Sequence, residues 1–177
     1  MPRVNNIEIE DGQIIFRNFS GKVSENNPKG IRTVTFVIPE DVKDKLISDG
    51  WNVRLYIPKN DPEATPVYIL EATVCYRNRA GEPQDPHVFI VKPDGLMHIT
   101  EDIAYTLDSY DILKVDAVLR PFYWEQGGRR GIRPYVNKMY ITINEDRFDK
   151  KYRDYVNHIN DNMLPTDGNL DLPFPIE

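Results

Sequence analysis

Cysteine occurs once in this 177-residue chain, at Cys75. No intramolecular disulfide can form, and a lone thiol fits a reducing compartment. Histidine is nearly as scarce. His87, His98 and His158 are scattered and do not assemble a zinc pattern with one cysteine. No apolar run approaches the ~20 residues of a membrane span. Met1–Asp11 lacks the basic-then-apolar order of a secretory leader. The expectation is a soluble, cytoplasmic protein with no membrane association. No glycine-rich loop ending in Lys-Ser/Thr follows a strand pattern, and Gly127-Gly128 with Gly131 sits in a hairpin turn, the wrong setting for a dinucleotide fingerprint. Carboxylates are numerous, but none forms a nuclease constellation; Glu71 lies on a strand pattern without a nearby lysine. No metal, no other cofactor and no catalytic residue is expected.

Basic residues are missing from one stretch altogether. From Asp154 to Glu177 there is no lysine or arginine, against Asp154, Asp161, Asp167, Asp171 and Glu177. The whole chain holds 22 bases and 28 acids, so with those five set aside residues 1–153 carry 22 bases against 23 acids. Most of the net charge of −6 therefore sits in the final segment. Its end, Asp171-Leu172-Pro173-Phe174-Pro175-Ile176-Glu177, is an acidic lead with an apolar tip. Such a tail can occupy a basic groove of its own body or leave it for a partner, which points to nucleic-acid binding despite the acidic balance.

What is present is mostly β pattern. Gln13–Phe19, Ile31–Ile38, Asn52–Ile57 and Val67–Arg77 are rich in β-branched and aromatic residues. In the last of these, Tyr68, Leu70, Ala72, Val74 and Tyr76 share one face. Pro39–Ser48 reads as a short helix, with Glu40 and Asp41 in its first turn, Gly50 after its end, and Val42, Leu46 and Ile47 as its apolar face. His87–Val91 and Leu96–Ile99 are short strands, and Thr100–Tyr105 a helical turn. Ile112–Trp124 and Ile132–Ile143 are long strands. Asp146–Ile159 reads as a helix, and 160–177 as a disordered acidic tail. The division expected is a domain of residues 1–159 and a tail of residues 160–177. Short strands without βαβ alternation argue for a mainly β, antiparallel barrel with short helices, the OB-fold first and a β-sandwich as rival.

Residues 120–140 are the most positive segment. Arg120, Arg129, Arg130, Arg133 and Lys138 face one acid, Glu125, among Phe122, Tyr123, Trp124, Tyr135 and Tyr140. Strand alternation puts Leu113, Val115, Ala117 and Leu119 on a core face, and Arg120, Phe122 and Trp124 together on the other. Single-stranded nucleic acid needs this mixture, because cations neutralise phosphates while flat rings accept unstacked bases. The competing reading makes the rings a barrel seal and the arginines plain surface charge. In the second strand Arg133, Tyr135, Met139 and Ile141 share a parity, which implies a bulge and leaves open which of Tyr135 and Tyr140 is exposed. Arg54 and Tyr56, with Lys59 beyond, can extend the groove. Arg77 and Arg79 stand at a strand end and can meet phosphates. Trp51 reads as a core residue.

The segments Phe16–Lys22, Asp49–Val53, Arg120–Trp124 and Gly131–Ile143 resemble a widespread family of bacteriophage single-stranded DNA-binding proteins, over roughly Ile14 to Tyr152. The resemblance implies an OB-fold that coats single-stranded DNA in replication and recombination, inside a bacterial host. The Asp171–Phe174 end resembles the tails of bacterial and T7-type single-stranded DNA-binding proteins, which recruit replication enzymes. It implies partner contacts through Asp167, Asp171, Leu172, Pro173 and Phe174. Here Pro175-Ile176-Glu177 follow, so a pocket that reads a terminal carboxylate directly after Phe174 does not fit. The expected function is non-enzymatic single-stranded DNA binding, with replication or recombination proteins as partners and self-association allowed. A protein-interaction barrel is the alternative, and a nuclease ranks below it.

Overall fold

In the computed structural model, residues 3–145 are described, together with 151 and 152. The helix expected at Asp146–Ile159 lies outside them except for Lys151 and Tyr152, which are helical, and the acidic tail lies wholly outside. Contacts divide the chain into units at residues 1–144 and 145–177, and all the strands belong to the first.

Alternating apolar residues build the strands in the expected places. They are β1 (Ile7–Gly12), β2 (Ile14–Asn18), β3 (Thr33–Ile38), β4 (Arg54–Tyr56), β5 (Val67–Thr73), β6 (Val88–Lys92), β7 (Gly95–His98), β8 (Ile112–Gln126) and β9 (Arg129–Ile143). Helix α1 covers Glu40–Ser48, and a 3-10 turn covers Ala104–Asp108. The chain is thus mainly β with short helices, as its patterning implies. Strand β1 is the one element that the sequence pattern did not suggest, although Ile7 and Ile9 alternate with Glu8 and Glu10.

The strands join in the order β1-β8-β9-β5-β3-β2, with β4 added to β5, and β6 and β7 added beside β9. The hydrogen-bonded path is not closed, since β1 and β2 at its ends do not pair with each other. They are instead consecutive in the chain, separated by Gln13 alone. The first half of one bent run pairs with β8 and the second half with β3. Gly12 stands at the bend, where a Cβ would lie 2.4 Å from Cγ2 of Ile9 and 3.2 Å from the carbonyl oxygen of Val115. Most pairings are antiparallel, but β9 runs parallel to both β5 and β6.

Inward-facing residues of every long strand meet in one core. Val34, Phe36, Leu70, Val88, Ile90, Met139 and Ile141 are fully buried there. The expected face of β5 holds: Leu70, Ala72, Val74 and Tyr76 are buried, and the Tyr76 hydroxyl donates to the carbonyl of Ile99 at 2.9 Å. Trp51 is buried, as expected of a core residue. The β2–β3 loop is held by Asp108, whose carboxylate accepts from the backbone N–H groups of Phe19 and Ser20 at 2.8 and 2.9 Å.

Two expected faces are corrected. Leu113 is 56% exposed while Val115, Ala117 and Leu119 are buried. The β8–β9 register shifts between Ile112 and Lys114, so Leu113 leaves the inward parity. Helix α1 buries Leu46, but Val42 and Ile47 stay largely exposed. Val42 borders an open cavity of about 880 Å³ between α1 and β1, which explains its exposure; nothing in the structure explains that of Ile47.

The register makes a stability prediction. Leu119→Ala should cost ~2–5 kcal/mol, the range for truncating a buried leucine, whereas Leu113→Ala should stay within ~0.5 kcal/mol, as exposed sites do. Urea unfolding of both variants is the measurement. Equal losses would show that the register shift is wrong.

Candidate nucleic-acid interface

A two-residue turn sets the hairpin's register. Gln126 pairs with Arg129, leaving Gly127 and Gly128 at the tip with φ of +60° and +76°. Both central residues must adopt positive φ in such a turn, which suits glycine. From the tip inward, Trp124 pairs with Gly131, Phe122 with Arg133 and Arg120 with Tyr135. Between Val118 and Leu119 the register shifts, because their partners are Lys138 and Val136. Asn137 is the extra residue, and it reverses the parity of β9. Ile132, Pro134 and Val136 are buried before it, and Met139 and Ile141 after it. This is the bulge that the pattern of β9 implies.

The outward face of the hairpin is a layered stack. The Phe122 and Tyr135 rings lie 5.0 Å apart with 9° between their planes. The Arg79 guanidinium caps Phe122 at 4.9 Å from the ring centroid, and Arg120 caps Tyr135 at 5.0 Å. Both distances fall within the range in which a cation is held by a ring's negative face. Trp124 extends the face toward the tip. Its indole lies against Gly131, so closely that a Cβ there would be 3.0 Å from Cζ2. Tyr140 has its own partner, Phe89, at 5.6 Å and 19°, and His98 tilts onto Phe89 at 5.1 Å. Both tyrosines left open by the sequence are therefore half-buried against phenylalanines.

Register carries this face across the sheet. Asn18, Thr33, Thr73, Tyr135 and Arg120 are successive partners on β2, β3, β5, β9 and β8. The adjoining row on the same face runs Phe16, Thr35 and Glu71. Arg54 and Tyr56 pair with Ile69 and Val67 on the far edge of β5, and the Tyr56 ring meets Phe16 edge-on at 5.1 Å. The two patches that the sequence suggested separately thus share one surface. Phe16 is the aromatic that sequence reasoning missed as a site residue; an exposed ring in a strand beside Arg17 and Asn18 was the available signal.

Charge pairing among the described residues leaves most of the expected site cations without an acid, as it does Lys22, Lys29, Lys45 and Lys92 elsewhere. Among the described residues the ion pairs use Arg32, Lys43, Arg77, Lys114, His87 and His98. Arg54, Lys59, Arg79, Arg120, Arg129, Arg130, Arg133 and Lys138 have no acidic partner there. Arg77 is the exception among the expected site residues. Its guanidinium lies 2.9 Å from Glu101 and donates to the carbonyl of Gly81 at 3.1 Å. Lys59 is exposed on the loop after β4, apart from the stack. The tail residues Asp167, Asp171, Leu172, Pro173 and Phe174 lie outside the described residues.

Cys75 reports on this surface. Burial pushes its thiol up, while Arg120 and then Arg133 pull it back. In the segment before β6, Asp85 lies 3.0 Å from Nε2 of His98 and 3.3 Å from Nδ1 of His87. Burial acts to raise the Asp85 carboxyl, but the hydrogen bonds from His98 and the backbone of His87 outweigh it and hold it below its ordinary value.

Comparison with known proteins gives a consistent result. A family model described as "Putative phage ssDNA-binding domain" matches residues 1–174. Two solved structures of the single-stranded DNA-binding protein from bacteriophage Enc34 are similar in fold. A C-terminal truncation is 12% identical with a TM-score of 0.53, over 80% of this chain and 87% of that one. The complex of that protein with single-stranded DNA is 12% identical with a TM-score of 0.53, over 81% and 89%. No curated protein matches in sequence.

The thiol gives a direct check on the geometry. Alkylation of Cys75 followed against pH should have its midpoint above that of an ordinary thiol. Arg120→Ala should move it higher still, because a cation that stabilises the thiolate has been removed. A midpoint indifferent to Arg120→Ala would mean that the guanidinium does not face the sulfur.

Proposed function

The chain belongs to the phage single-stranded DNA-binding domain family, and on that premise we propose that it binds single-stranded DNA along the outward face of β2, β3, β5, β9 and β8. The observation that carries this reading is the interleaving of unpaired cations with stacked rings on that one surface. Cations left without acidic partners have nothing to give up when phosphates arrive, and each phosphate neutralised releases counterions. Trp124 and Phe16 are the exposed rings on which unstacked bases can stack, an attraction that tolerates any base sequence. Phe122 and Tyr135, covered by each other and by Arg79 and Arg120, offer only their edges and hold those cations in place.

The strand order supports assigning the body to the OB-fold. The bent β1–β2 run serves as the first strand, and β3, β5, β8 and β9 complete a five-stranded, partly open barrel of the kind that binds oligonucleotides on its face and loops. The hairpin tip carrying Arg129 and Arg130 then becomes a clamp beside the groove. Coating of single strands during phage replication or recombination is the corresponding biological role, without catalysis. The acidic end supplies the second half of the mechanism. Asp167 and Asp171 compete with DNA for the basic face, and Leu172-Pro173-Phe174 offers a short apolar hook to replication or recombination proteins.

Fluorescence titration with oligo-dT across a salt series tests the reading. Log affinity should fall linearly with log salt, and Arg133→Ala should reduce the magnitude of the slope by ~0.7, the single-strand value per phosphate. Trp124→Ala should weaken binding by ~1–3 kcal/mol, the range for one stacked base, and Tyr135→Ala should weaken it by releasing Arg120 from the ring that positions it. Affinity that ignores salt, or is unchanged in both ring variants, would favour a protein-contact role for this face. Removing residues 161–177 should tighten DNA binding at low salt and abolish capture of a replication partner; a truncated chain unchanged in both respects would make the tail inert.

A further inference from the structure

The row beside Tyr135 on the outward face contains an unpaired acid that a phosphate-binding surface has no use for. Glu71 is exposed in the row Phe16–Thr35–Glu71, next to the row that holds Tyr135. It forms no ion pair or side-chain hydrogen bond among the described residues. A bare carboxylate repels a passing phosphate, so its presence beside the stack needs a positive account.

Its surroundings supply one. Glu71 borders a cavity of about 410 Å³ lined also by Phe16, Tyr56, Arg54, Thr33 and Thr35. That size falls in the range of small-ligand sites. Phe16 and Tyr56 form an edge-to-face pair at its wall. Thr35 is only 3% exposed, and its side chain has no hydrogen-bond partner among the described residues. Arg17, the other cation of the lining, donates to the carbonyls of Tyr110 and Asp108 at 2.6 and 3.3 Å, which leaves Arg54 free for a phosphate. An apolar wall, a recessed hydroxyl without a partner, a free carboxylate and one free cation make a site for a single nucleotide.

We propose that this cavity reads one base of the bound strand, taking a base with an amino donor on its Watson–Crick edge, guanine first and the single-amino bases cytosine and adenine after it. Guanine presents N1–H and N2–H side by side, matching the two oxygens of the Glu71 carboxylate. Cytosine offers one amino group, the donor that acidic side chains accept in base recognition. Thymine presents a single N3–H between two carbonyl oxygens, both of which repel the carboxylate. Thr33 and Thr35 are also in the lining, and their hydroxyls can donate to or accept from the remaining edge. Binding is then sequence-tolerant along the stack and selective at one position. The proposal rests on the single-stranded DNA reading above and adds a base preference to it.

Anisotropy titrations at fixed salt test it, with a labelled oligo-dT and versions carrying one central dG, dC or deoxyinosine. The intact chain should bind the dG oligonucleotide about 5- to 10-fold tighter than all-dT, the scale of one good base contact. Deoxyinosine, lacking the 2-amino group, should lose part of the gain. In Glu71→Ala the dG preference should collapse to near unity while all-dT binds equally well or tighter, since a repulsive charge has gone. In Glu71→Gln, which keeps one acceptor oxygen, it should be intermediate. A dG preference that persists in Glu71→Ala is ring stacking and overturns the proposal, as does an intact chain that binds all four oligonucleotides alike. Failure to bind any of them overturns the single-stranded DNA reading as well, so the two failures are distinct.

Discussion

The paired strands β8 and β9 are the constraint on which the rest of this structure depends. Their ladder runs from Ile112–Ile143 to Gln126–Arg129, and β9 also meets β5 and β6 along its other edge. A shift of one residue in this pairing would exchange core for surface along the strand that slips. Two local devices prevent it. The Gly127-Gly128 turn fixes where the strands reverse, and the bulge at Asn137 resets parity so that Val136 and Met139 both point inward. The stack on the outside is a consequence. Tyr135 meets Phe122 and Arg120 because the register leaves Pro134 and Val136 on the buried side.

Electrostatics divides the same scaffold. The ion pairs that serve the fold gather elsewhere: Arg77 and Arg32 on Glu101, Lys114 with Asp11, Lys43 with Glu40. The cations of the hairpin and of β4 are kept out of such pairs. Exposed ion pairs contribute at most ~1 kcal/mol to stability, so leaving these residues unpaired costs the fold little. Against a polyanion the same residues act additively, through counterion release. A low-cost omission for stability becomes a usable property for binding, and the overall charge of −6 conceals it because the chain after residue 153 adds five acids and no base.

Where the sequence was legible, alternation showed either a continuous face or a clear break in parity. The inward face of β5 follows from alternation alone, as does the bulge in β9, since neither parity could bury both Val136 and Met139. Alternation failed at Leu113, because an irregularity near a strand end shifts side chains without changing the pattern of residue types. Strand β1 was missed although its isoleucines alternate, because only Ile7 and Ile9 mark it, among acids that form the solvent face of a strand at the end of the ladder. The apolar face of α1 was overestimated, since two turns of helix cannot show which of Val42, Leu46 and Ile47 meets a partner.

The sequence by itself determined the class of structure, the basic and aromatic character of residues 120–140, and the separation of acid into the last segment. These are properties of composition and local period, and they survive any arrangement of the strands. Only the tertiary structure decided which charges and rings share a surface. Phe16, Glu71, Tyr135 and Arg120 lie on four different strands, and Arg79 reaches Phe122 from a loop more than forty residues away. Cross-strand register brings them together, and register depends on long-range hydrogen bonding and core packing that no local pattern encodes. The same long-range pairing commits Arg77 to Glu101 while leaving Arg79, two residues on, free over a ring.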